Sequence, residues 1–355
     1  MKITVDTQTL AEEVRRLARI TSEKGAIPVL GNILLRADAE LVMASTDLQV
    51  GLITRCAAKI EQAGQLTLPA KKLLEVLDQL PAGEVTLSET AGAVRLASGS
   101  FRLRLQAIPA DEFPVLPEPG GAPVALPALP FRAMLDRTTY AVSDRGGTAY
   151  ALKGSLLRVF GEAIALVATD GKRLSIATAA CPPAEPISVI IPSKTLELLV
   201  GHAEGRELIF RTDGKHLFFE AGPRLLYSQM LEATFPSYER IIPRDTTIRI
   251  EIGRAALEAA IRRVGIVAEE DRAIAFRIAE NACHIAAQSR TLGDAQEVVP
   301  AVYAGEEIAF MLNSRFVLDF LEHAERDSIT IDTRPGAPLL FTDGPDFVNV
   351  IMGMR

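Results

Sequence analysis

The residues best placed to do chemistry lie in LVATDGKRLSI, Leu166 to Ile176, where Asp170 and Lys172 flank a glycine between two apolar stretches. A carboxylate and an ammonium around Gly171 admit three readings: a phosphate cradle, an acid–base pair, or a hairpin corner. Acid–base catalysis needs a second group within hydrogen-bond reach, and the sequence sets no second carboxylate or histidine beside this turn. Asp-Gly favours a tight hairpin turn, because Gly takes positive φ at no steric cost. The corner reading leads; an enzyme acting on a small phosphorylated ligand at Asp170-Gly171-Lys172 stays open as the alternative.

The remaining reactive residues form no constellation. His202, His216, His284 and His323 make no HxH, HExxH or Cys-His pair, and P-loop, GxGxxG and GxSxG patterns are absent. Cys56, Cys181 and Cys283 are scattered without a CxxC, which argues against structural zinc or a disulfide framework and fits a reducing cytoplasm. No catalytic residue, metal or cofactor is therefore expected. The 355 residues are 48% hydrophobic and 23% charged, ordinary for a protein with a buried core, and the length suggests two or three domains. No apolar run approaches the ~20 residues of a membrane span. The amino terminus has no apolar signal core, so a mature, cytoplasmic protein is expected.

The elements that must position these residues repeat. LPAKKLLEVLDQL from Leu68, IPSKTLELLVGHA from Ile191 and LNSRFVLDFLEHA from Leu312 each open on Pro or Asn and a small residue, then continue with apolar residues at helical spacing. Upstream of each, a second amphipathic helix carries Leu10/Val14, Phe131/Leu135 or Leu257/Ile261. The turn STD at 45–47 recurs as ATD at 168–170, and IPADEFPVL at 108–116 has a counterpart in LEATFPSYE at 231–239. These landmarks share a period of about 120 residues, the signature of an internal repeat. Short alternating stretches such as EVTLSE, FRLRLQAI and HLFFEA read as half-buried antiparallel strands. The expectation is an α+β chain of three domains, 1–121, 122–246 and 247–355, each with two helices backed by antiparallel sheets. Linkers fall at 117–123 and 242–247.

The net charge of −7 argues against simple electrostatic adhesion to nucleic acid. Its distribution qualifies that. All six expected helices carry bases: Arg15, Arg16 and Arg19; Lys71 and Lys72; Arg132 and Arg137; Lys194; Arg254, Arg262 and Arg263; and Arg315. A single such base is ordinarily a solvated helix face; recurrence at like positions points to one shared basic surface, mixed with Glu12, Glu13, Glu75 and Asp78.

Taken together, IPVLGN (27–32), LPAKKLLEVLDQLP (68–81), IPADEFPVL, LVATDGKRL, IPSK (191–194), FPSYERIIP (235–243) and VIMGMR (350–355) resemble the β sliding clamp family of bacterial DNA polymerase III, in family order along the whole chain. The resemblance implies three DNA-clamp domains per chain and a ring-forming homodimer, two chains closed head to tail. Helices would line the hole around double-stranded DNA and strands would form the outside. A clamp is held by topology and needs only a mildly basic hole, which reconciles the acidic total with DNA as partner. The implied function is that of a processivity factor without catalysis of its own, opened by an ATP-hydrolysing clamp loader. The implied location is the cytoplasm, at the nucleoid during replication. A non-ring DNA-binding scaffold is the competing reading.

The resemblance also implies a partner-peptide pocket for the polymerase III alpha subunit, the clamp loader, other polymerases and repair proteins. Its matched residues are Leu152, Thr169, Gly171, Lys172, Arg173 and Leu174; Pro236, Arg240 and Ile241; and Val350, Met352, Gly353, Met354 and Arg355. Leu, Ile and Met would give an adaptable apolar groove, with arginines at its rim. Lys172 stands where the family often has His. Gly353 stands where its tail often has Pro, which implies a looser tail. DNA-facing positions implied are Lys24, Arg15, Arg19, Lys71, Lys72, Arg137, Tyr150, Lys194 and Arg263. Tyr150 matches one of two adjacent aromatics that contact single-stranded template; Ala151 replaces the other, and Gly146 and Gly147 precede them. The ring interface is expected between Arg102, Leu103, Arg104 and Leu105 and a face with Ile266 and Val267, where Asp294 and Glu297 would meet the arginines.

Overall fold

The computed structural model describes residues 1–22, 27–90, 92–143, 149–203, 205, 207–269 and 271–354. Six helices of at least two turns are described: α1 (Thr7–Ala18), α2 (Ala70–Leu77), α3 (Ala128–Thr138), α4 (Ser193–His202), α5 (Arg254–Val264) and α6 (Ser314–His323). They form where the sequence signals lie. Asp6 caps α1 by accepting the Thr9 N–H at 2.8 Å; Asn313 caps α6 by accepting that of Arg315 at 3.0 Å. These caps satisfy donors that the first turn leaves orphaned. Pro69, Pro127 and Pro192 end strands immediately before α2, α3 and α4. Leu10, Val14 and Leu17 of α1, Phe131 and Leu135 of α3, and Phe320 and Leu321 of α6 are fully buried, the faces that the helical spacing predicts.

The chain divides into two compact units: residues 1–126 with 202–230, and 127–201 with 231–355. In the first, a five-stranded sheet runs in the order Lys59–Gln62, Lys2–Asp6, Glu84–Thr90, Ala93–Ser98, Phe101–Gln106. An eight-stranded sheet runs Val124–Pro127, Glu207–Thr212, His216–Ala221, Arg224–Gln229, Val50–Cys56, Leu41–Thr46, Asn32–Ala37, Gly64–Pro69. Helices α1 and α2 pack on each other.

In the second unit one ten-stranded sheet runs Gly154–Thr169, Arg173–Pro192, Phe347–Ile351, Leu339–Thr342, Ser328–Thr333, Ile248–Gly253, Gly293–Val302, Ala282–Ser289, Ala273–Ala279, Ile308–Asn313. Helices α5 and α6 pack together over a core that includes Leu257, Ile261, Phe276, Phe320 and Phe341.

Sheets cross the repeat boundaries. Arg224–Gln229, from the second repeat, pairs antiparallel with Val50–Cys56 from the first. Arg173–Pro192, also from the second repeat, pairs antiparallel with Phe347–Ile351 from the third. Strand pairing thus crosses both repeat boundaries, from the first repeat to the second and from the second to the third. No helix among the described residues is long and apolar enough to cross a membrane.

Candidate functional site

The Asp170-Gly171 segment is a hairpin corner. It joins Gly154–Thr169 to Arg173–Pro192, with Thr169 opposite Leu174. Thr169 Oγ1 donates to the Arg173 carbonyl at 2.6 Å and accepts the Gly171 N–H at 3.1 Å. Asp170 Oδ1 accepts the N–H groups of Lys172 and Arg173 at 2.9 and 3.0 Å. Gly171 sits at φ +85, the left-handed region that glycine enters freely.

The same corner occurs at residues 212–216, where Thr212-Asp213-Gly214-Lys215 repeats the tetrapeptide of residues 169–172 exactly and His216 completes the turn. Thr212 Oγ1 donates to the His216 carbonyl at 2.9 Å, Asp213 Oδ1 accepts from Lys215 and His216 at 2.8 and 2.6 Å, and Gly214 lies at φ +87. The first repeat builds it at Thr46-Asp47, with Leu48 at φ 77 in the glycine position. Three copies with one hydrogen-bond pattern make Asp170 a structural acceptor. The corner at Asp170 differs from the other two in the pair Arg173-Leu174 that leads out of it.

Successive residues of a strand point to opposite faces, so Arg173 and Leu174 diverge. Leu174 lies directly across from Val350. Both belong to an apolar cluster with Ala151, Leu156, Val167, Ile176, Ile190 and Tyr238, flanked by Phe235 and Ile242. Tyr238 is fixed in the short 3-10 turn Tyr238–Arg240, its hydroxyl accepting from Arg158 Nη1 at 3.0 Å while the same nitrogen reaches Glu239 at 2.7 Å. Leu152 is 8% exposed, and its carbonyl accepts the Ser143 N–H at 2.9 Å. Beside this floor, Ile241 and Met352 are exposed, 40% and 44%, and Pro236, Arg240 and Lys172 are also exposed.

The C-terminal tail is pinned on both sides of Gly353. Met352 N–H donates to the Lys172 carbonyl at 3.0 Å and Met354 N–H to the Met311 carbonyl at 2.8 Å. The looseness expected of Gly353 is thereby countered, and a Cβ added there would meet nothing nearer than the Met311 carbonyl at 3.9 Å. Arg355 lies outside the described residues.

Arg173 departs from its expected place at the groove rim. Its side chain is 6% exposed. Nε donates to Asp170 Oδ2 at 3.2 Å, Nη1 to Asp319 Oδ2 at 2.5 Å, and Nη2 to the Tyr140 carbonyl at 2.5 Å. The guanidinium carbon lies 5.1 Å from the centre of the Tyr140 ring and 4.6 Å from that of Phe316. Strand alternation is the physical reason: with Leu174 turned into the apolar cluster, Arg173 must enter the other face. Tyr140 is half-buried there too, with its hydroxyl enclosed. Burial pushes its hydroxyl pKa up, against hydrogen bonds with Ser175 and Asn349 that pull it down. The residues that receive Arg173 (Asp319, Phe316 and Tyr140) carried no sequence signal.

The bases expected to face DNA divide. Arg19, Lys71 and Lys194 are exposed. Arg15 is exposed and paired with Asp78 at 2.6 Å, and Lys72 with Glu75 at 2.5 Å. Arg263 is bidentate on Glu297, at 2.9 and 2.5 Å. Exposed pairs of this kind are weak and exchangeable. Arg137 is less open than the others: its side chain is 15% exposed, bridged to the exposed Glu325 at 2.9 Å and laid 5.3 Å from the centre of the Phe347 ring. Tyr150 is 57% exposed whereas Ala151 is buried. Lys24, Gly146 and Gly147 lie outside the described residues.

Strand Phe101–Gln106, with Arg102, Leu103, Arg104 and Leu105, is the edge of its sheet. Arg102 folds back on the carbonyls of Gly99 and Phe101, at 2.6 and 2.7 Å. Ile266 is 74% exposed, whereas Val267 packs against the core. Asp294 and Glu297 lie on Gly293–Val302, which pairs with Ala282–Ser289 on one side and with Ile248–Gly253 only at Ala301 and Val302. Among the described residues its second edge is otherwise open. Glu297 is already held by Arg263, which alters the pairing expected for it.

Comparison with known proteins covers the whole chain. Three consecutive family profiles match: DNA polymerase III beta subunit, N-terminal domain at 1–117, central domain at 125–237 and C-terminal domain at 239–355. The Beta sliding clamp of Synechococcus elongatus is 30% identical, with 93% of this chain and 92% of that protein covered. That of Chlamydia pneumoniae is 28% identical over 100% of this chain and 99% of the relative. The solved DNA polymerase III subunit beta of Pseudomonas aeruginosa superposes with a TM-score of 0.96 at 26% identity, both chains covered in full. The sliding clamp of Caulobacter crescentus gives 0.94 at 28% identity, again over the full length of both chains. The chain belongs to the DNA polymerase III beta subunit family, the bacterial beta sliding clamps.

Proposed function

We propose that two copies of this chain close head to tail around duplex DNA, and that the groove floored by Leu174 and Val350 tethers the replicative polymerase. The chain is an accessory subunit and performs no chemistry of its own. The observation that carries the docking reading is the buried Leu174–Val350–Tyr238 cluster lying beside the exposed side chains of Ile241 and Met352. Such a surface suits a short apolar motif, and methionine adapts to varied partners. The alpha subunit, the clamp loader, other polymerases and repair proteins would share it in turn.

Ring closure is supported by two open strand edges, that of Phe101–Gln106 and that of Gly293–Val302 up to Pro300, which pairing between copies would cover. A net charge of −7 suits a ring held by topology, because each neutralised phosphate would add salt-sensitive affinity and friction. Arg15, Arg19, Lys71, Lys72, Lys194 and Arg263 are the bases offered to the duplex, and the ring would work in the cytoplasm, at the nucleoid during replication.

The docking reading is tested with Ile241→Asp and Met352→Ala, read by fluorescence polarisation of a labelled peptide carrying the clamp-binding segment of the same organism's alpha subunit. Loss of binding with the dimer intact supports it, and unchanged binding in both variants overturns it.

A further inference from the structure

We propose that Asp319, on α6, is a positioning residue for the docking groove: it holds Arg173, and through Arg173 the corner whose far side presents Leu174 and the backbone of Lys172. The proposal rests on the groove reading above.

The chain of contacts is continuous. Asp319 Oδ2 accepts from Arg173 Nη1 at 2.5 Å. Arg173 Nε donates at 3.2 Å to Asp170 Oδ2, while Asp170 Oδ1 holds the N–H groups of Lys172 and Arg173. The Lys172 carbonyl then accepts the N–H of Met352, the exposed methionine beside the groove floor. Asp319 thus reaches the rim through three intermediates without lining the groove, since Arg173 and Leu174 leave the strand on opposite faces.

The second TDGK corner serves as an internal comparison. It forms the same backbone hydrogen bonds with His216 in the place of Arg173, and among the described residues His216 Nδ1 bonds only the corner's own Asp213, at 3.0 Å. The corner therefore folds without a distant carboxylate. The tie to α6 is an addition found at the corner beside the groove.

Its physical effect follows from burial. With Asp319 present, each nitrogen of the guanidinium has an acceptor. Removing that carboxylate leaves a buried charge with Asp170 as its one remaining anion among the described residues, an arrangement that a buried ion pair tolerates poorly. Arg315, whose Nε lies 3.8 Å from the same Oδ2, loses that partner too, but its side chain is 61% exposed and solvent screens its charge. Arg173 must then turn toward solvent or draw Asp170 off the corner's N–H groups. Either movement shifts the Lys172 carbonyl that holds Met352.

The test measures the affinity of the alpha-subunit peptide for the intact dimer, with melting temperature and oligomer mass recorded for each variant. Asp319→Asn is expected to weaken binding about ten-fold, and Asp319→Glu, which restores the carboxylate, by no more than about two-fold. Arg173→Gln combined with Asp319→Asn is expected to be no worse than Arg173→Gln alone, because both act through one contact. Unchanged affinity in Asp319→Asn, equal loss in Asp319→Glu, or additive losses in the double variant overturn the proposal. Ile241→Asp and Met352→Ala separate it from the groove reading. If both bind as the parent does, the groove itself has failed; if they lose binding while Asp319→Asn keeps it, only the role of Asp319 has.

Discussion

Leu174 and Val350 stand directly opposite each other where a strand of the second repeat pairs with a strand of the third. Both are nearly inaccessible, 2% and 1% exposed, yet Met352, two residues beyond Val350, is 44% exposed. The proposed docking groove would thus have a floor that belongs to the core and a rim that belongs to the surface. The two should respond differently to truncation.

Leu174→Ala is expected to lower stability by about 2–5 kcal/mol, the transfer and cavity cost of a buried leucine, and to weaken peptide binding as well. Met352→Ala is expected to leave stability within about 0.5 kcal/mol while costing about ten-fold in affinity. Urea denaturation and fluorescence polarisation on the same samples check both. Equal stability losses in the two variants contradict the floor-and-rim division.

The ring interface is expected to depend on Ile266, which is 74% exposed in the single chain. Ile266→Asp should fold with an unchanged melting profile and sediment as a monomer at concentrations where the parent is a dimer. A dimeric variant would remove this residue from the interface.

Asp213 gives a pH-dependent prediction. Burial pushes its carboxyl up, but hydrogen bonds from His216 and Lys215 prevail and bring its pKa from 3.8 down to about 2. A depressed carboxylate stabilises the fold above its unfolded pKa, and that contribution is lost as pH falls toward the folded value. The parent should therefore lose stability relative to Asp213→Asn between about pH 4 and pH 2, and the gap between them should be constant above that window. Parallel curves across the whole range would refute the assignment.

Glu13 ties α1 to the strand Arg224–Gln229. Its carboxylate accepts from Thr54 Oγ1 at 2.7 Å and pairs with the Arg224 guanidinium, and its side chain is 7% exposed. Glu13→Ala leaves Arg224 without that anion, and a loss of about 3–5 kcal/mol is expected in denaturant unfolding. A loss under about 1 kcal/mol would show that Arg224 finds solvent instead.

Much of the architecture was legible from local signals. Pro69, Pro192 and Asn313 mark helix starts because a cap or a fixed φ acts within a few residues. The apolar faces of the six helices follow from 3.6-residue spacing. The strand pairing across the repeat boundaries was not legible, because pairing Arg224–Gln229 with Val50–Cys56 depends on register between distant segments. The direction of Arg173 was half legible. Alternation along a strand separates it from Leu174, but its anion Asp319 is 146 residues away and no local pattern announces it. The partners of Arg137 were illegible for the same reason: its position on α3 suggested a solvated base, while Phe347 and Glu325 came from the far end of the chain. The recurrence of the Thr-Asp turn between residues 45–47 and 168–170 was legible, the TDGK copy at residues 212–215 was passed over, and together they demote Asp170 from candidate catalyst to corner residue.

The central claim is topological, and the most direct measurement tracks labelled protein on DNA after loading by the same organism's clamp loader and ATP. Retention on a nicked circle is predicted to persist through gel filtration, and cutting that circle once is predicted to release the protein from the ends. Equal dissociation from circular and linear DNA would contradict the ring.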